Sequence, residues 1–121
     1  MAEFKQSGVA EWVNLHSNGT DNFTALHYAS FFGNILMSEL LIKHGANVFA
    51  VNHLGINMVH VAAQGDQPIS ISFYENRGIS INSKDNKDSS ALHWAAYVGA
   101  DQAIGFLIAW GADLNLIDKN G

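Results

Sequence analysis

Residues 89–100 read SSALHWAAYVGA: two serines, a histidine and a tryptophan among small apolar residues, and a closing glycine. Such a stretch fits the wall of a catalytic pocket, and it fits equally one copy of a recurring structural unit. Only the second reading demands that the pattern return elsewhere, and it does. His27, His60 and His93 are spaced 33 residues apart. Gly45, Gly78 and Gly111 keep that interval, and so do Asn52, Asp85 and Asp118. Three independent landmarks on one period, without insertion, define three copies over about 22–54, 55–87 and 88–120.

Each copy spells the same supersecondary unit. Thr24, Asn57 and Ser90 share a slot and are all residues whose side-chain oxygen caps a helix N-terminus. Leu26 with Ala29, Val59 with Ala62, and Leu92 with Ala95 follow at helical spacing, predicting a short first helix. Gly33, Asp66 (beside Gly65) and Gly99 mark a tight turn. A more apolar second helix follows, as NILMSELLIKH, QPISISFYENR and ADQAIGFLIAW, with Pro68 near one start, where a missing N–H costs little. Gly45, Gly78 and Gly111 are expected to end these helices in the left-handed conformation. NHLG, DNKD and DKNG then read as turns at the tips of extended loops, with Asp88 accepting positive φ where the others have glycine. A unit of this kind cannot bury its apolar face alone, so the copies must stack.

The totals narrow the function classes. The 121 residues suit one domain, and with 48% hydrophobic and 14% charged residues the chain is not disordered. A net charge of −5 without any Lys/Arg cluster argues against nucleic acid and against direct contact with anionic membranes. Without cysteine there is no disulfide, thiolate nucleophile or sulfur-bound zinc, which points to a reducing, cytoplasmic setting. No stretch resembles a signal peptide or approaches the roughly 18 apolar residues of a spanning helix.

The signatures TALHYA, NMVHVA and SALHWA resemble the Thr-Pro-Leu-His-x-Ala signature of the ankyrin repeat, with Ala25, Met58 and Ala91 in place of proline. The resemblance covers about residues 22–121 and implies an all-α solenoid of three full repeats whose first helices line a concave surface. More narrowly, HVAAQGDQP and the run INSKDNKDSSALHWAAYVGADQAIGFLIAWGADLN are similar to the N-terminal ankyrin region of DHHC-type palmitoyltransferases, which are eukaryotic membrane enzymes. In those enzymes the catalytic Asp-His-His-Cys segment and the membrane spans lie outside the array, and neither occurs here. The resemblance then implies a substrate-recruiting fragment that does not itself catalyse acyl transfer. An adaptor or inhibitor with no acyltransferase attached is the alternative owner.

The periodic histidines are not a metal site on this reading. Packed helices lie about 8–10 Å apart, whereas zinc holds an imidazole nitrogen at roughly 2.0–2.1 Å. Each histidine is expected to bond near its own helix start and tie a loop to its neighbour. Lys84, Asp85, Lys87 and Asp88 read as a solvated tip, and no phosphate loop, nucleophile elbow or H-E-x-x-H pair occurs, so no cofactor is expected. The slots that remain are Tyr28, Val61 and Trp94, with Phe31, Gln64 and Tyr97 three residues on and so on the same helical face. Trp94, Tyr97, Tyr28 and Gln64 are the expected contacts for a protein or extended peptide along the concave groove. His53, Asn86 and Lys87 at the tips are lesser ones. Phe31 and Trp110 read as packing. On this reading Trp94→Ala weakens partner binding and leaves melting almost unchanged.

Residues 1–21 leave the period. Phe4, Val9, Trp12 and Val13 recur at helical intervals, predicting a partial repeat or capping helix. The apolar last helix, AIGFLIAW, suggests a segment of a longer array whose open ends could self-associate.

Overall fold

Thr24, Asn57 and Ser90 all hold extended backbone, with ψ of 169°, −174° and 176°, and each starts a helix. Their side-chain oxygens accept the N–H three residues on, that of His27, His60 and His93. Each histidine answers: its Nδ1 accepts the cap residue's own N–H at 3.1, 3.1 and 3.0 Å. This is a reciprocal capping box in which histidine stands where glutamate or glutamine is usual.

The structure is a computed structural model and describes residues 22–114. The expected cap over residues 1–21 and the tip DKNG lie outside the described residues. Six helices and no strand occur among those described: α1 Ala25–Phe31, α2 Ile35–Lys43, α3 Met58–Gln64, α4 Pro68–Glu75, α5 Ala91–Val98 and α6 Asp101–Ala109. The first helices form one row, α1 against α3 and α3 against α5, and α2, α4 and α6 form a looser second row behind them. Leu26, Met58, Val59, Ala62, Ile71, Tyr74, Ala95 and Leu107 meet between the rows as a single core. Alanines on the facing sides of α3 and α5 let the first row close up.

The turn between helices shows how one copy departs from the others. Gly33 and Gly99 take φ of 69° and 76°, but in the middle copy the left-handed residue is Asp66, at 57°. Its glycine stands one place earlier because α3 runs hard against α1 there. A Cβ on Gly65 would fall on the Phe31 carbonyl oxygen and within 2.9 Å of its carbonyl carbon. Asp66 gains something in exchange. Its Oδ1 accepts the N–H of Ala103 at 2.8 Å, in the first turn of α6, whose own N-cap, Ala100, makes no side-chain bond. One repeat thus caps a helix of the next, a service worth about 1 kcal/mol.

Equal slots differ in burial at the two ends of the stack. Ser70 and Ala103 are fully buried, whereas Met37 in their slot is 44% exposed. At the other end Leu114 is 64% exposed, whereas Ile81 in its slot is buried. Trp110 departs from its expected packing role: it leans on Phe106 with ring centroids 5.4 Å apart and remains half exposed.

Candidate recognition face

The tips carry the loop residues of interest, and the side chain in the Asn52/Asp85 slot shapes each of them. Asn52 Oδ1 accepts the N–H of Leu54 and of Ile56, at 3.0 and 2.9 Å. Asp85 Oδ1 does the same for Lys87 and Ser89, at 2.9 and 3.0 Å. Adjacent tips are also joined. The Asn86 N–H donates to the Leu54 carbonyl at 2.9 Å, and its side-chain amide donates to the His53 carbonyl at 3.0 Å. Gly55, at φ 77°, leaves room for this: a Cβ there would press on Asn86. Asp88 takes the positive φ expected of it, 60°.

Asp85 does not belong to a solvated tip, as the sequence suggested. It is buried, and its second oxygen, Oδ2, accepts the Trp94 indole N–H at 2.9 Å. A carboxylate with three N–H donors tolerates burial because each donor replaces lost water. Trp94 is therefore a braced ring, half-buried against the core, and it presents its remaining surface edge-to-face to Tyr97 with centroids 6.2 Å apart. Tyr97 is 84% exposed.

At the other end of the row, Tyr28 and Gln64 meet around a second feature. Phe23, His27, Tyr28, Phe31, Phe32, Val61 and Gln64 line a pocket of about 280 Å³. Phe31, expected to pack, instead forms part of this wall and meets Phe32 edge-to-face at 5.1 Å. The sequence reading missed Phe23 and Phe32. Phe23 precedes a cap and Phe32 occupies a slot held by Gly65 and Val98, so neither repeats, and periodicity is blind to them.

The expected contacts thus fall into three groups. Trp94 pairs with Tyr97, Tyr28 shares a pocket with Gln64, and the exposed His53, Asn86 and Lys87 share two bonded tips. The Asn86 amide is already engaged by the neighbouring tip. The Gln64 side chain is half-buried and hydrogen-bonds to no described residue.

The histidines serve the stack. His27 and His60 are fully buried. With Nδ1 accepting, the proton sits on Nε2, which donates to the Ile56 carbonyl at 3.1 Å and the Ser83 carbonyl at 2.8 Å respectively. Burial lowers the pKa of His60 from the ordinary 6.5, and the Ser83 bond and Asp85 charge oppose that only in part. The unfolded chain therefore binds the proton first, so the His60 contribution to stability is complete above about pH 6.5 and declines as pH falls through the folded value. At about pH 6.5, where a free imidazole is half charged, the ring ¹⁵N shifts of His60 are expected to show mainly the neutral Nε2–H tautomer; a mainly charged ring there would contradict this account.

Capped helix pairs stacked in two rows, with bonded loop tips on one side, make a repeat scaffold of the kind used for protein–protein interaction. The ankyrin repeat family model matches residues 21–53 and 87–119, and the chain belongs to the ankyrin repeat family. Its middle copy, with NMVHVA for a signature, lies between the two matches. Among curated relatives, calmodulin-binding transcription activator 6 of Arabidopsis thaliana is 32% identical over 82 residues, 68% of this chain and 10% of that protein. Palmitoyltransferase AKR1 of Lachancea kluyveri is 27% identical over 118 residues, 93% of this chain and 16% of that protein. Calmodulin-binding transcription activator 5 of Arabidopsis thaliana is 33% identical over 63 residues, 52% and 7% respectively. The chain spans a small fraction of the length of these relatives. No helix among the described residues is long and apolar enough to cross a membrane.

Proposed function

We propose that this chain recognises an extended segment of a partner protein along the row of first helices, without chemistry on the ligand. Trp94 and Tyr97 anchor it, Tyr28 and Gln64 receive its other end, and His53, Asn86 and Lys87 flank it from the tips. The observation that carries the reading is the Trp94–Tyr97 pair. One ring is fixed by Asp85 and the other stands 84% exposed beside it. Rigid aromatic anchors lose little entropy on binding and commonly contribute about 2 kcal/mol or more. A photo-crosslinking residue at Tyr97 is expected to trap the partner, and the same residue at His44, on the opposite helix row, is not. Trapping at His44 alone would overturn the reading. Tyr97→Ala is expected to weaken the complex at least tenfold with the fold unchanged.

We further propose that the module belongs to a palmitoyltransferase as its substrate-recruiting arm. The similarity to AKR1 along 93% of the chain supports this. Such an owner would place the array on the cytosolic side of an intracellular membrane. The transcription-activator relatives support the alternative, an array with no acyltransferase attached. Reading the native coding sequence past Gly121 decides between them: apolar spans with an Asp-His-His-Cys segment support the first, and their absence overturns it. The exposed Met37 and Leu114, at the two stacking faces, also support head-to-tail self-association. Light scattering should then show mass rising with concentration, and a constant monomer mass would exclude it.

A further inference from the structure

We infer that the aromatic pocket at the α1–α3 end of the row is a side-chain subsite, made for one uncharged apolar residue of a chain whose main-chain amide is read by Gln64. The inference rests on the groove reading above and specifies what one end of the groove accepts.

Three observations converge on it. First, the pocket holds about 280 Å³, more than the roughly 150 Å³ in which an apolar cavity already takes up benzene. A leucine, methionine or phenylalanine side chain fits with room for its Cα. Second, the described walls carry no formal charge. Phe23, Tyr28, Phe31 and Phe32 are aromatic, and Val61 adds another apolar wall. His27 also lines it, but its Nδ1 accepts the Thr24 N–H and its Nε2 donates to Ile56. It therefore offers carbon surface. An ionised side chain would lose its hydration and find no counter-charge among the described walls.

Third, Gln64 stands at this pocket with both halves of its amide unused by any described residue. Other polar groups of the recognition face are committed internally: Asp85 to Lys87, Ser89 and Trp94, and Asn86 to His53. A primary amide offers donors and an acceptor together, which is the complement of one peptide group. The pocket selects the side chain, and Gln64 holds the backbone that bears it.

Single-residue probes test the subsite apart from any partner. The N-acetyl methylamides of leucine, trimethyllysine and glutamate are titrated into the ¹⁵N/¹³C-labelled chain. The leucine probe is expected to shift the Val61 methyls, the Tyr28 ring and the Gln64 side-chain NH₂ together, and the two charged probes to leave them in place. Gln64→Leu keeps an apolar wall and should weaken the leucine probe roughly fivefold, the loss expected of about 1 kcal/mol of hydrogen bonding. Gln64→Glu, which retains the acceptor, should weaken it less. Equal or stronger shifts from trimethyllysine would overturn the inference in favour of a cation cage, and no shift from leucine at concentrations approaching its solubility would overturn it outright. If leucine binds here but crosslinking at Tyr97 fails, the groove reading falls and the subsite stands. If Tyr97 crosslinks and leucine does not bind, the reverse holds.

Discussion

Gly65→Ala is expected to cost about 3 kcal/mol, the upper part of the range for overpacking, and to lower the melting temperature by more than about 10 °C. The new methyl meets backbone, the Phe31 carbonyl, and cannot be accommodated by a side chain swinging aside. Relief would require α1 and α3 to separate, which breaks the contact on which the first row is built. Gly105→Ala is the control. It lies within α6 with nothing within 4 Å of its would-be Cβ, and alanine there should add roughly 0.5–1 kcal/mol. Thermal melts of the two variants should move in opposite directions. If Gly65→Ala melts like the parent, the close approach of α3 to α1 is wrong.

Trp94→Ala is the second large effect, and the structure reverses what the sequence suggested for it. On sequence alone the indole is dispensable for stability, because the ankyrin resemblance turns its slot toward the concave groove. Its ring packs against the core and its N–H is one of three donors to a buried carboxylate. Truncation should cost about 2 kcal/mol in packing, below the range for fully buried tryptophan because the ring is only half-buried. Leaving Asp85 short of a donor adds about 1 kcal/mol. Trp94→Phe isolates the second term. Asp85→Asn supplies the comparison, since Asn52 shapes its own tip with a neutral amide, so the loop should survive while the acceptor for the indole is lost. A double-mutant cycle on urea midpoints should return a coupling of about 1 kcal/mol. A Trp94→Ala variant melting within a degree or two of the parent would return the ring to a purely external role.

What the sequence discloses is what the repeats have in common. Thr24, Asn57 and Ser90 cap helices where the period put them, the second helices end at glycines of positive φ, and Asp88 takes the left-handed turn. All three histidines bond at their helix starts, as their slot implies, and His27 and His60 also reach the next loop, whereas His93 bonds among the described residues only to Ser90. What stayed hidden are the acts of single residues across copies. Asp66 reads in the sequence as a turn residue that replaces glycine, but its reach to Ala103 spans 37 positions and occurs in one copy only. Asp85 reads in the sequence as part of a solvated tip. Its burial follows from where the Trp94 indole points, and a pattern of residue types does not encode direction. Phe23 and Phe32 close the pocket from slots that no other copy fills with an aromatic ring, so a search by period passes over them.

The bond between Asp85 and Trp94 also bears on how the array would respond to load. Asp85 shapes the loop that carries Lys87, and Asn86 of that loop is fastened to the loop of His53. A ligand that presses on the indole therefore presses, through one carboxylate and one amide, on both fingers beside it. The indole and the two tips are braced as a single piece, so under the proposed reading a partner settling there has little left to freeze. Such a surface should favour slow dissociation over adaptability, accepting few shapes and holding those it accepts.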